Sequence, residues 1–362
     1  MNRATYTRSD FSHSPMIVFY EVTRATNVPC QTSGLPVKRD PLELNTAQAR
    51  RLIDELAEFP KPPMLALTGG DPLRRPDVFR LIEHAARAGV RTSLTAAPTA
   101  VASTDAITRL KATGLARLAV AIDGPTAAAH DAARNAPGSF DRTLAIVRDA
   151  RGCDLSVQVN TIVNRDNADQ LGAMADLLAR IGTSMWSVFF LVPDAVNPGQ
   201  RRIPPERYDQ AFAELYEHAK RQPYPIKATE APFFRRWLLQ QQAGTGASPT
   251  VNRGLPVVRT NDGKGVMAVN HVGVIWPSPL LPIACGTFPN DSLVRVYQQH
   301  PLFRDLRDPA KLKGKCATCE FKAACGGSRA RAFATTGDPL QQDGDCNYQP
   351  GTCRPKAALA AV

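Results

Sequence analysis

The stretch Val18-Phe-Tyr-Glu-Val-Thr-Arg-Ala-Thr-Asn-Val-Pro-Cys-Gln-Thr-Ser33 opens as an apolar, β-branched run, breaks at Thr23-Arg24, and passes into a segment holding a single cysteine, Cys30. A strand buried on both faces reads as such a run. Where strands alternate with helices around a barrel, the loop at the C-terminal end of a strand is where chemistry sits. The residues just beyond this first strand therefore decide how the rest of the chain is read.

Strand-like and helix-like runs alternate from residue 16 to about residue 230. The strand candidates are Met16–Thr23, Met64–Thr68, Arg91–Thr95, Arg117–Ile122, Ser156–Val163 and Met185–Val192. Between them, Thr46 is placed to cap a helix whose Ala49, Leu52, Ile53, Leu56 and Phe59 share one face. Further helices are expected over Pro76–Ala88, Thr104–Ala112, Phe140–Asp149, Ala168–Ile181 and Pro205–Arg221. Six such units in series require a parallel sheet with right-handed crossovers, yet are too few to close an eight-stranded barrel. The expected fold is α/β, an open, partial (β/α)6 TIM-like barrel over residues 1–232.

Residues 233–265, with Gln240–Gln242 and Ala243-Gly-Thr-Gly-Ala-Ser-Pro249, read as a linker. Gly265–Pro277 reads as a β-hairpin turning at Asn270-His-Val-Gly273. It is followed by a short helix over Asp291–Gln299 and a cysteine-rich tail, a smaller module over residues 266–362.

The chain's 362 residues, 43% of them hydrophobic, are enough for one large core and a small second one. The first residues lack the apolar segment of a signal peptide, and no apolar run approaches the roughly 20 residues of a membrane span. A cytoplasmic protein with no membrane partner is expected. The net charge of +11 is spread along the helices rather than gathered in a block, so no nucleic-acid partner is expected. It accords with a solvated basic surface or with an acidic substrate. Of eight cysteines, five fall in the last 47 residues, a clustering that points to metal or cluster ligation before disulfides.

Four local patterns carry chemistry. In Thr68-Gly-Gly-Asp-Pro-Leu73, Gly69 and Gly70 allow close backbone approach to a ligand, with free N–H groups and the carboxylate of Asp71 beside them. Asp123, at the end of Leu118-Ala-Val-Ala-Ile-Asp-Gly-Pro125, sits where a strand-end carboxylate could face a site; as structural alternatives, Asp123-Gly124 is a turn and His130 and Arg134 pair with local acids. Asn160 and Thr161 are polar within an apolar strand, so they face a ligand or bond locally. Finally, Cys316, Cys319, Cys325 and Cys346 supply four thiolates around a Gly-containing loop. That set suits a four-iron cluster, with structural zinc as the rival. Cys153, Cys285 and Cys353 have no evident role, and Cys153 reads as a small packed residue.

Three of these texts together resemble the radical S-adenosylmethionine (SAM) enzymes. Their first strand ends in a sequence like E-V-T-R-A-C-x-x-x-C-x-x-C, their second in G-G-E/D-P, and the Asp123–Phe140 run resembles their D-G-x-x-x-x-x-H-D-x-x-R-x-x-x-G-S-F. The run Lys315-Cys-Ala-Thr-Cys-Glu-Phe-Lys-Ala-Ala-Cys-Gly-Gly-Ser-Arg-Ala-Arg-Ala332 is similar to the SPASM/Twitch auxiliary-cluster domain, most closely that of a haem-synthase-like subgroup.

The resemblance implies SAM held near Gly69, Gly70, Asp71, Asp123 and Asn160, and a 4Fe-4S cluster on Cys316, Cys319, Cys325 and Cys346. It also implies a second 4Fe-4S cluster on the first loop, but there the three ligand positions are Thr26, Cys30 and Ser33. Hydroxyls ionise far less readily than thiols, so Cys30 alone should not hold that cluster. Pro29, Gln31-Thr32 and Gly34-Leu35 also depart from the family's text, which accords with natural drift.

The leading expectation is a degenerate member that binds SAM or a substrate as an accessory protein and keeps the tail cluster. The alternatives are an active oxidoreductase or maturase acting on a peptide or a tetrapyrrole-like small molecule with a redox partner, and an electron-transfer protein using the tail cluster alone.

Overall fold

The structure, a computed structural model, describes residues 10–26, 38–194, 201–245 and 260–352. Seven strands run parallel in chain order: β1 (Ile17–Thr23), β2 (Met64–Gly69), β3 (Thr92–Thr95), β4 (Arg117–Ala121), β5 (Val157–Val163), β6 (Met185–Phe190) and β7 (Ile226–Thr229). The six expected strands are all present. β7 was not foreseen, because Ile-Lys-Ala-Thr is short and half polar and carries no strand signature.

The expected hairpin forms from β8 (Val266–Val269) and β9 (Val274–Trp276), and its turn closes through a bond from Gly273 N–H to the Asn270 carbonyl. β8 also pairs in parallel with the free side of β1, and β10 (Gly286–Thr287) adds antiparallel to β9. The result is one open sheet in the order β10-β9-β8-β1-β2-β3-β4-β5-β6-β7.

Helices cover the outer face: α1 (Thr46–Ala57), α2 (Val78–Arg87), α3 (Thr104–Ala112), α4 (Ala127–Arg134), α5 (Ser139–Gly152), α6 (Leu171–Arg180) and α7 (Arg207–Arg221). The cap of α1 is Asn45, not Thr46. Its side chain accepts from the Gln48 N–H while Gln48 bonds back to the Asn45 N–H, a reciprocal box that Thr46 could not complete from one residue further on.

The stretch expected to be linker from residue 233 begins instead with helix α8 (Phe233–Thr245). Phe233, Phe234 and Trp237 lie within a turn of one another and are buried, with Phe234 packing on Phe212 of α7 at 4.9 Å between ring centroids. Short helices α9 (Leu293–Gln299), α10 (Pro301–Arg307), α11 (Lys315–Thr318) and α12 (Arg329–Thr336) complete the C-terminal part. No helix of the described residues is long and apolar enough to cross a membrane.

Strand register sets the barrel's inner face, since side chains paired across parallel strands point the same way. Ala121, Asn160, Ser187 and Lys227 form one row, and Ile162, Phe189 and Thr229 the next. Phe19, Ala66, Ser93 and Arg117 form a row across the first four strands. Closed barrels fill this space with bulky branched side chains. Here much of the lining of this inner face, the vault, is small or polar.

Candidate functional site

At the mouth of the vault, β1 and β2 end against each other. The Gly70 N–H donates to the Thr23 carbonyl at 2.9 Å and the Asp71 N–H to the Ala25 carbonyl at 2.8 Å. A Cβ on Gly69 (φ 119°) would lie 2.1 Å from the Thr23 oxygen, and one on Gly70 2.4 Å from the Ala25 oxygen. The expected free N–H groups of Gly70 and Asp71 are thus already spent on the neighbouring strand end, and the glycines permit this approach of backbone to backbone.

Asp71 is fully buried. It accepts from the Thr99 hydroxyl at 2.6 Å and the Leu73 N–H at 3.2 Å, and burial holds its carboxyl above the usual range despite these bonds.

Glu43 pins the same strand end. Its carboxylate accepts from the Thr23 hydroxyl at 2.7 Å, the Arg24 N–H at 3.0 Å and the Arg39 guanidinium at 2.7 Å. Burial pushes this carboxyl up, yet the bonds from Thr23 and Arg39 outweigh it and hold the group below its ordinary value. Glu21 bonds His271 Nδ1 at 2.8 Å, and His271 Nε2 lies 3.2 Å from Asp40. Residues 38–43 and the hairpin turn are in this way tied to β1. No motif marks Glu43 or His271, because their partners lie far off in sequence or on another strand. Of the three positions in the first motif, Thr26 is buried; Cys30 and Ser33 lie outside the described residues.

Asp123 is a structural hub. One carboxylate oxygen accepts from Arg134 at 2.8 Å, the other from the Ile162 N–H at 2.8 Å, and its carbonyl accepts from Asn167. Its own N–H donates to His130 Nδ1 at 3.1 Å, so Nδ1 is unprotonated and the proton sits on Nε2. His130 is fully buried beside Phe140, and burial pushes its pKa down. Arg134 therefore pairs with a local acid, as the structural alternative expected, whereas His130 sets the end of β4 through the Asp123 backbone N–H and not through an acid. Thr161 bonds locally, donating to the Ile122 carbonyl at 2.6 Å and accepting from the Trp186 indole at 2.9 Å. Asn160 lies on the vault side, its side-chain oxygen held by Gln158 at 2.7 Å.

The four tail cysteines come together. Cys316, Cys319, Cys325 and Cys346 line one cavity of about 380 Å³, counting the part open to solvent, along with Arg236, Lys315 and Lys322. Burial, with the neighbouring thiols adding to it, pushes Cys319 up to about 11 and Cys325 higher still; burial also raises Cys346. The Gly327 N–H donates to Cys325 Sγ at 3.4 Å.

Among the described residues no three His, Cys, Asp or Glu side chains close around a single-ion point; what these thiols share is a cavity wall. Four soft donors around one space, with cations beside it to balance thiolate charge, fit an iron–sulfur cluster. The first-loop set of one thiol and two hydroxyls does not. Cys285 is buried away from this cavity, its thiol pushed up to about 12 by burial and directed at the Ile283 carbonyl. Cys153 donates to the Ala150 carbonyl at the end of α5, and Cys353 lies outside the described residues.

The cavity is fastened to the barrel by charge. Ser328 donates to Glu230, just past β7, and Arg331 donates to the Glu230 carbonyl. Arg331 also pairs with Asp343 at 2.9 Å and with Asp345 at 3.1 Å, and Asp345 in turn accepts from Tyr208 of α7 at 2.8 Å. Arg235 of α8 bonds the carbonyls of Thr260 and Ala324, next to Cys325.

Comparison with known proteins agrees with this architecture. Residues 28–178 match the model of the Radical SAM superfamily. The chain is 35% identical over 349 residues to an AdoMet-dependent heme synthase of Methanosarcina barkeri, covering 94% of this chain and 98% of that protein. It is 32% identical to the AdoMet-dependent heme synthase of Nitratidesulfovibrio vulgaris, with 96% of each chain covered. In fold it is similar to the crystal structure of Streptococcus suis SuiB bound to S-adenosylmethionine, with a TM-score of 0.69, 12% identity, and 93% of this chain and 78% of that one covered.

Proposed function

Because the chain belongs to the haem-synthase-like branch of the radical SAM/SPASM family, we propose that it is a member that has lost radical initiation at its first loop, keeps a tail iron–sulfur cluster, and acts by binding SAM or a substrate. One observation carries the reading. Four thiols line one cavity in the tail, while the first motif offers Thr26 and Ser33 where thiolates are needed.

When bound, the tail cluster supplies one-electron transfer. Cys316, Cys319, Cys325 and Cys346 hold it, Lys315, Lys322 and Arg236 balance its charge, and the Gly327 N–H donates to one ligand sulfur. Thr23, Ala25 and Glu43 keep the vault mouth in shape without a cluster there. SAM, where bound, would lie against Gly69, Gly70 and Asp71, with Asn160 facing the vault and Asp123 positioning the end of β4. The ligand of the vault is a small molecule of the kind the relatives' name implies, a tetrapyrrole.

A second reading, an active radical enzyme, is favoured by the 35% identity across nearly the whole chain to a protein named as a synthase.

Iron and acid-labile sulfide per chain after anaerobic reconstitution separate the two. The proposal expects about four irons in the natural sequence and about eight in Thr26→Cys/Ser33→Cys. About eight in the natural sequence overturns it, and SAM cleavage should then be assayed directly.

A further inference from the structure

The inner face of β7 carries two polar groups to which no other described residue bonds. Ile226 of this strand is buried against the helices, so Lys227 and Thr229 alternate to the vault side. Lys227 is half-buried and its ammonium makes no hydrogen bond or ion pair with another described residue, and Thr229 Oγ1 is buried with no partner among the described residues. Three other polar groups on the vault lining are engaged with one another: Arg117 donates to Gln158, and Gln158 donates to Asn160.

The charges that face Lys227 are Arg117 from β4, Arg235 from α8 and Glu230 at its own strand end. Glu230 is held by Ser328, and Arg235 by two carbonyls. Burial, and then the charges of Arg235 and Arg117, push Lys227 down to about 8. Its one acidic neighbour, Glu230, is bonded to Ser328, so the lysine has no ion-pair partner among the described residues. The buried Thr229 hydroxyl costs free energy while it lacks a partner; an anion entering the vault removes that cost and gives the half-buried ammonium a counter-charge.

We infer that Lys227 and Thr229 form the subsite for a carboxylate of the vault's ligand, the ammonium taking the charge and the hydroxyl donating the second bond. A carboxylate is favoured over a phosphate dianion because the described residues of the face offer one uncommitted cation, as a point charge, and no free guanidinium fork. The inference rests on the vault being the ligand site, and not on whether radical chemistry survives.

The test titrates the reconstituted full chain with a porphyrin carrying two propionate side chains, and separately with its dimethyl ester, followed by Soret absorbance. The free acid should bind at least about tenfold more tightly than the ester. Lys227→Met should erase that preference without weakening the ester, Thr229→Val should narrow it, and Lys227→Arg should retain part of it.

Equal binding of acid and ester by the natural sequence overturns the inference, as does a preference that survives Lys227→Met. Should neither porphyrin bind, labelling of Lys227 by an amine-reactive reagent, read by mass spectrometry, decides. Protection by saturating propionate but not by chloride upholds the subsite, and equal labelling overturns it. Failure of the degenerate reading shows separately in the iron count, which none of these measurements uses.

Discussion

The Ser328 hydroxyl donates to Glu230 Oε2 at 2.7 Å, and this bond joins the end of the last barrel strand to the cap of α12 in the cysteine-rich tail. Ser328 is fully buried and also accepts the Arg331 N–H. Close by, Asp262 is held by the Ser278 hydroxyl and the Ala330 N–H. Two carboxyls thus share a buried seam between barrel and tail.

Burial, and then the charge of Asp262, push Glu230 up to about 8 from an ordinary 4.5, and burial raises Asp262 as well. The folded chain therefore holds a proton that the unfolded chain releases. That contribution is fully present below the ordinary carboxylate value and is lost as pH rises through about 8. The melting temperature should fall between about pH 5 and pH 8.5, and Glu230→Gln should flatten that slope. A slope unchanged by the substitution would remove Glu230 as its cause.

Arg331 and Asp343 are both wholly buried and paired at 2.9 Å. Removing one member of such a pair strands the other charge. Arg331→Met should lower stability by about 3–5 kcal/mol in urea unfolding. An unchanged urea midpoint would show that the tail is held to the barrel by other contacts.

Gly70→Ala should cost roughly 3 kcal/mol, since its Cβ would crowd two carbonyl oxygens and one of the two strand ends must move. SAM affinity, measured by equilibrium dialysis, should fall with it if the mouth is a SAM site. Gly89→Ala, where a Cβ meets nothing within 4 Å but the backbone φ is +75°, should cost only about 1 kcal/mol of backbone strain. Equal losses at the two positions would mean that the crowding at Gly70 is relieved elsewhere.

Cys325→Ser or Cys319→Ser should reduce reconstituted iron from about four per chain to below about one, whereas Cys285→Ser and Cys153→Ser should leave it intact. Iron retained in both tail variants would take the cluster away from this cavity.

The sequence by itself determined the six-strand alternation, the open parallel sheet, the hairpin, and the motifs that mark the family, the cysteine-rich tail run among them. Each of these is local: a run of apolar residues, a turn, or a spacing of thiols is complete within a few positions. Only the tertiary structure decided what required distant partners. β7 is too short and polar to announce itself, and becomes a strand because β6 offers it a ladder. Phe233, Phe234 and Trp237 form a helix where a linker was expected because α7 presents an aromatic face to them. The N–H groups of the Gly-Gly-Asp turn are occupied rather than free because β1 ends against them. Asp123 is a hub because Arg134, Ile162 and Asn167 converge on it. Lys227 faces the vault because register, which no single segment encodes, sets it in a row with Ala121, Asn160 and Ser187.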